Sequence, residues 1–337
     1  MITKRLFGSA DNQDVFEYTI RNGAGMEISI LNYGATLRTV NVPGRDGKLV
    51  NVCLGYDTLA EYMNSNGHLG AGIGRYGNRI GNACFDLDGK HYELAKNNGV
   101  NHLHGGLKAF DSKIWDCSVN EAENTVEFKL FSPDGDEQYP GNLTAGTSFT
   151  LTEENKMIIR YSAVTDKATP INLTNHWYTN LNGQGVGNIL DHSLQIFAEC
   201  YTPVSDALIP TGEISPVEGT ALDFRKMKTV GRDFPEMGYD NNFAFGNPDV
   251  LKPMAVLVGN LSGIRMELSS TAAGCQFYTA NGLTDRAGRD GARYGKYSGL
   301  CLETQCYPDS PNQPAFPNCI LRPGETYRHT SEFTFTA

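Results

Sequence analysis

The sequence predicts an all-β protein of packed antiparallel sheets, a sandwich or a closed barrel. Three observations predict it. Apolar residues recur with a period of two along most of the chain and almost nowhere with a period near 3.6. Turn-forming residues interrupt the alternating runs at short intervals. The chain carries 37 Gly and 15 Pro in 337 residues, above the usual share of about 12%, and this favours many turns over long helices.

The elements follow in order. In Gly25-Met26-Glu27-Ile28-Ser29-Ile30 every second residue is large and apolar. A break at Asn32-Tyr33-Gly34 precedes a second strand-like run from Ala35 to Val42. Residues 85–94 place Asp88-Gly89 between two alternating arms, the strongest short-range hairpin signature. Ser148 to Leu151 and Met157 to Ala163 flank a polar turn at 153–156, and Ala255 to Val258 and Ile264 to Leu268 flank another at 259–263. A last strand covers Glu332 to Thr336. Only Thr58 to Met63 and Gly106 to Phe110 read as briefly helical, and neither is long enough to cover a sheet face. No linker, low-complexity tract or fixed repeat divides the chain, so residues 1–337 are expected to form a single domain.

Composition excludes several function classes. With 28 Lys and Arg against 38 Asp and Glu, the net charge of -10 argues against nucleic acid or another large anionic partner. The N-terminus lacks the ~7 to 15 apolar residues of a signal peptide, and no run approaches the ~20 needed to span a bilayer. A cytoplasmic protein without membrane contact is expected. The eight cysteines show no C-x-x-C and no dense framework, which predicts free thiols rather than disulfides or zinc ligands.

Four motifs carry candidate chemistry. Gly72-Ile73-Gly74-Arg75-Tyr76-Gly77 matches G-x-G-x-x-G literally, but no helix follows it and residues 97 and 98 are Asn where a dinucleotide site needs an acid. His102 and His104 form an H-x-H pair that on a strand would share one face and could ligate a metal, although Gly105-Gly106 points to a loop and no third ligand follows nearby. Residues 171–181 gather three Asn, His176, Trp177 and Tyr178, a mixture of amides, aromatic faces and a titrating imidazole that suits a sugar. Glu303 ends an apolar run ahead of a Pro-rich loop, a placement that disfavours its charge unless donors surround it.

Taken together, these segments resemble the aldose 1-epimerase (galactose mutarotase) family from the N-terminal region to the last strand. Residues 74–80 are similar to G-R-x-x-N-R-I, 101–106 to N-x-L-H-G-G, and 172–181 to N-x-T-N-H-x-Y-x-N-L. Residues 238–243 resemble G-Y-D-H-N-F, 274–281 G-x-Q-x-Y-T-x-N, and 303–312 E-T-Q-x-x-P-D-x-x-N. The resemblance implies a large antiparallel β-sandwich. It implies Glu303 as general base and His176 as general acid, with Asn78, Arg79, His104, Tyr178, Asp240 and Gln276 binding sugar hydroxyls. Asn241 stands where the family usually has His, and Trp177 adds a bulky ring beside the proposed acid; both bear on sugar preference.

Interconverting anomers requires a proton to leave the anomeric hydroxyl and another to reach the ring oxygen, so one base and one acid suffice. No metal or redox cofactor is needed. With reference pKa values near 4.3 and 6.5, ionised Glu303 and protonated His176 are competent at neutral pH, and the pair is expected to approach the pyranose from opposite sides. The pH profile should be a bell. The partner is a small aldose such as galactose or glucose, acted on by a monomer or homodimer. Competing readings are a relative acting on a modified sugar such as a phosphorylated hexose, a non-catalytic carbohydrate-binding sandwich, and a metal-dependent barrel using His102 and His104.

Overall fold

The structure is a computed structural model that describes residues 1–65 and 67–337. Alternation builds three principal sheets, and every strand ladder among the described residues is antiparallel. The first is a meander of Ile2–Ala10, Gln13–Arg21, Glu27–Leu31, Thr36–Pro43 and Leu49–Asn51. The second has nine strands in the order Asp116–Asn120, Thr125–Ser132, Leu143–Leu151, Lys156–Thr165, Tyr327–Thr336, Arg265–Ser270, Lys252–Val258, Ser193–Ile196 and Lys228–Thr229. The third, which carries the site, runs Ser215–Pro216, Cys200–Tyr201, Asp240–Ala244, Gly274–Tyr278 and Cys301–Gln305.

The period-two pattern decides which face each sheet buries. Along Thr125–Ser132, Val126, Phe128 and Leu130 are buried while Glu127, Lys129 and Phe131 are exposed. Tyr18 of the first sheet meets Phe128 of the second edge-on, with ring centroids 5.9 Å apart. Each such ring contributes about 1.5–3 kcal/mol on burial. The final strand, read from sequence only over its last five residues, extends over Tyr327–Thr336 and lies mid-sheet, pairing Tyr161 with His329 on one side and Met266 with Phe335 on the other.

Local chemistry explains the connections. Asp88 and Gly89 both take positive φ, 50° and 77°, as a type I′ turn requires, and join Cys84–Leu87 to Lys90–Glu93. The helix expected after Thr58 forms over Leu59–Asn64, closed by a capping box in which Thr58 and Glu61 serve each other's backbone N–H. At six residues it is too short to persist alone, and buried Leu59 and Tyr62 hold it. The helical turn expected at Gly106 to Phe110 is displaced: Gly105 and Gly106 sit at φ of 89° and 121°, outside helical space, and a 3-10 turn covers Phe110–Ser112 instead.

No helix among the described residues is long and apolar enough to cross a membrane. All eight cysteines are free. The G-x-G-x-x-G match is structural: Gly72–Ile73 pairs with Thr174–Asn175, and the buried Arg75 guanidinium donates to Ser132, Pro133 and Pro140 rather than to a ligand.

Candidate active site

Register places the site on one face of the third sheet. Glu303 lies opposite Gln276, which lies opposite Asn242; Cys301 lies opposite Tyr278, which lies opposite Asp240. Because strand side chains alternate, these residues share a polar face. The intervening Phe243, Cys275, Phe277 and Leu302 bury on the other. The same alternation sends Asn241 to the side away from Asp240, and turns Trp177 into the core against Phe333 at 5.3 Å while its neighbours His176 and Tyr178 face a cavity. Neither departure from the family pattern lines that cavity.

The facing wall is built by short ladders. Arg79–Ile80 pairs with His102–Leu103, and the chain then turns at Asn78 (φ 64°) and His104 (φ 52°). The backbone N–H of Asn78 donates to Nδ1 of His104 at 3.1 Å while the His104 N–H donates to the Asn78 carbonyl, so the two are locked together. A Cβ at Gly105 would sit 1.9 Å from the Gly74 carbonyl oxygen, so this position requires glycine. The turn at 104 breaks the H-x-H pair: His102 points into the core, bonded to Tyr139 Oη and the Ala95 carbonyl, while His104 faces the cavity. The alternative of a metal pair on those two residues is therefore not formed.

The cavity has a volume of about 360 Å³, within the ~300–1,000 Å³ of small-molecule sites. Glu303, His176, Asn78, Arg79, His104, Tyr178 and Asp240 all line it. Gln276, expected to bind sugar, lies one layer back: its amide donates to Asp240 Oδ1 at 2.7 Å and its oxygen accepts from Gln305, so both ends are engaged in holding Asp240. Arg79 stands 3.7 Å from Asp240 Oδ2 and donates to Asn98 at 3.1 Å. A wider groove of about 670 Å³ runs along the nine-stranded sheet and holds none of these residues.

Nε2 of His176 lies 3.7 Å from Oε1 of Glu303. A ring held face-on between two groups needs ~7 Å, two contact distances, so the pair does not flank a pyranose from opposite sides. It stands side by side along one edge, a spacing that suits two oxygens on a single carbon. The His176 ring is fixed by stacking on Tyr178, with centroids 5.0 Å apart, and by Cys301, whose sulfur lies 3.5 Å from Nδ1. Oε2 of Glu303 is buried and has no partner among the described residues.

Burial governs ionisation here. Desolvation pushes the Glu303 carboxyl well above its usual range, with Asp240 adding to the rise and Arg79 opposing it. It pulls His176 down to about 3, assisted by His68, and drives His104 well below the usual imidazole range. Asp240 is raised by burial against the pull of Arg79 and Gln276. Ordinary values therefore do not describe the pair. Burial opposes both charges, and carboxylic acid beside neutral imidazole has the same net charge as carboxylate beside imidazolium: one proton is shared.

Three cavity residues escaped the sequence reading. His68 hydrogen-bonds Asp111 through Nδ1 at 2.8 Å, its ring 5.0 Å from His104 and 6.0 Å from His176. Tyr278 follows Gln276 at the period of two, which was the available signal. Arg286, on the short strand Arg286–Ala287, donates to Tyr56 and Ser65. His104, His176 and Glu303 also bring ligand-type atoms within 4.8 Å of one another. The donor set does not fit a metal. Because a backbone N–H donates to His104 Nδ1, the neutral ring carries its proton on Nε2, the nitrogen a metal would need, whereas a metal-binding His gives its other N–H to an acceptor.

A β-sandwich with a buried carboxyl–imidazole pair at a small-molecule cavity is equipped to move protons on a bound small molecule. A family model described as aldose 1-epimerase matches residues 17–334. Galactose mutarotase of Homo sapiens is 44% identical over 315 residues, covering 92% of this chain and 91% of that one. Aldose 1-epimerase of Escherichia coli K12 is 38% identical over 337 residues and 97% of each chain. Among solved structures, galactose 1-epimerase from Lactobacillus acidophilus superposes with a TM-score of 0.87 at 30% identity, over 100% of this chain and 98% of that one. An aldose epimerase homologue from C. elegans gives 0.88 at 30% identity, over 94% and 98%. The chain belongs to the aldose 1-epimerase family, and its activity is aldose mutarotation.

Proposed function

We propose that residues 1–337 act as one unit that interconverts the α and β anomers of aldohexoses such as galactose and glucose, with Glu303 as base and His176 as acid. The observation that carries this reading is the 3.7 Å approach of His176 Nε2 to Glu303 Oε1 inside a cavity lined by polar side chains. The anomeric hydroxyl and the ring oxygen are both bonded to C1, so two groups side by side can serve both at once. Donation from the hydroxyl to the free Oε2 of Glu303 stabilises the carboxylate, and Arg79 already favours that charge. The shared proton then resides on His176. Glu303 takes the hydroxyl proton as His176 protonates the ring oxygen, the C1–ring oxygen bond breaks, and C1 becomes an aldehyde. Rotation about the C1–C2 bond presents the other face. Closure reverses both transfers and restores the pair.

The remaining residues hold the sugar. Asp240, oriented by Gln276, accepts from hydroxyls, Arg79 and Asn78 donate, His104 offers Nε2–H, and Tyr178 supports the acid from behind. Galactose is favoured as a substrate because several relatives bear that sugar in their names. Glu303→Gln and His176→Asn are expected to retain the native circular dichroism and to lose about 10²- to 10⁴-fold in turnover, measured by polarimetry on freshly dissolved α-galactose. A near-wild-type rate in either variant removes that residue from its role.

A further inference from the structure

We propose that Asn98, which does not itself line the cavity, is a positioning residue that aims the Arg79 guanidinium at the sugar by accepting its Nε–H. The inference rests on the sugar-binding role given to Arg79 above. Residues 97 and 98, Asn where a dinucleotide site would need an acid, lead into a tight turn through Gly99 at φ 64°. Across it Asn98 and Asn101 exchange backbone hydrogen bonds of 3.1 and 3.0 Å. Both ends of the turn are anchored. The Asn97 amide donates to the carbonyls of Leu103 and Gly106 and accepts from the Leu103 N–H, and the Asn101 side chain accepts from the Asn82 N–H. From this fixed platform Asn98 Oδ1 reaches Arg79 Nε at 3.1 Å. The Arg79 backbone is equally fixed, its N–H donating to Asn78 Oδ1 and its carbonyl accepting from the Asp309 N–H. Among the described residues, Asn98 is the one side chain within hydrogen-bond distance of the guanidinium, since Asp240 stands at 3.7 Å.

A neutral acceptor suits this task. A carboxylate at position 98 would pair with the guanidinium and offset its charge, whereas an amide oxygen directs the planar fork and leaves the charge to act on the sugar and on Glu303. Arg79 opposes the rise in the proton affinity of Glu303 and lowers that of His104. Those two groups and Asp240 are the charged and titratable groups that face it. Ordering a long Arg side chain costs free energy. With Nε already held, that cost falls on folding rather than on sugar binding.

The test reads the guanidinium directly. In ¹⁵N-labelled protein without sugar, the Arg79 Nε–H cross-peak, assigned by its absence from Arg79→Met, should exchange slowly with water in wild type and in Asn98→Asp, which keeps the acceptor, and rapidly in Asn98→Ala. Asn98 does not take a positive φ, so alanine brings no backbone strain there. On galactose, kcat/KM should fall about tenfold in Asn98→Ala, the scale of one hydrogen bond to a charged group. The same change made in Arg79→Met should cost less than about twofold, because the two residues act through one contact. Asn98→Asp should also move the alkaline limb of the pH–rate bell to higher pH, since a carboxylate beside Arg79 offsets the charge that favours ionised Glu303. A slowly exchanging cross-peak in Asn98→Ala, or an equal loss in both backgrounds, overturns the proposal. Wild-type turnover in Arg79→Met would remove Arg79 from sugar binding, and the cross-peak alone would then decide whether Asn98 holds it.

Discussion

Asp240→Asn isolates one charge in the cavity. Asn keeps the oxygen that accepts from Gln276 at 2.7 Å, while the negative charge goes and with it the ion pair to Arg79. Its distance from Glu303 follows from the register: Asp240 pairs with Tyr278, Tyr278 with Cys301, and Glu303 lies two residues further on. Two strand spacings of ~4.8 Å and two residue rises of ~3.4 Å put the backbones ~12 Å apart. At an effective dielectric constant near 20, two unit charges at that distance interact by ~1.4 kcal/mol, about one pKa unit. Asp240 raises the proton affinity of Glu303, so removing it lowers that affinity. The proton is shared with His176, and both limbs of the pH–rate profile belong to the pair. The whole bell for kcat/KM should therefore move to lower pH, by about one unit on its alkaline side, where the raised carboxyl holds the last proton. Polarimetric rates on galactose across the pH range, for variant and wild type, measure the shift. KM should also rise, because a charged acceptor for hydroxyls is gone. A bell that moves to higher pH, or stays in place while KM rises, would refute the coupling of Asp240 to the pair.

Two further outcomes follow from the structure. His68→Ala removes an imidazole that bonds Asp111 through Nδ1 and lines the cavity; KM for galactose should rise about 2- to 10-fold, the worth of one hydrogen bond, and steady-state kinetics with an unchanged KM would exclude His68 from sugar binding. His192 and His329 are buried and held near 4, so the unfolded chain takes up protons below pH ~6.5 that the fold refuses, and stability falls from there toward pH 4 by on the order of 3 kcal/mol per group. Glu303, raised in the fold, works in the opposite sense, since its contribution is lost as pH rises; urea unfolding of His192→Gln should show a shallower acid loss than wild type, and an equal loss in both would sink the assignment.

Much of the site was legible because the period that builds the core also sorts the polar residues. Asp240 and Asn242, Gln276 and Tyr278, and Cys301 and Glu303 alternate with Phe243, Phe277 and Leu302, so a reader of the strands can assign one face to chemistry and the other to packing. The same count places Asn241 off the cavity, and it sends Trp177 inward between His176 and Tyr178. What the strand period does not carry is the relation between segments joined by turns. His68 meets Asp111 across 43 residues of chain, and the Asn78 N–H that fixes the His104 tautomer arrives from 26 residues away. His102 and His104 read as a same-face pair only if the strand continues, and it stops at Leu103 because His104 adopts φ 52°.

Ionisation was the least legible property, and for a physical reason. Reference pKa values belong to solvated groups, and the 2% exposure of Glu303 and 5% of His176 make solvation the largest contribution to both shifts. The consequence runs against the simple picture of a resting carboxylate and a resting imidazolium. A buried pair that shares one proton without stabilising either charge strongly needs little reorganisation to pass it in either direction. Anomer exchange asks for such a pair, because ring opening and ring closure are one reaction run forward and backward, and a site that fixed the proton firmly on either group would slow one of the two.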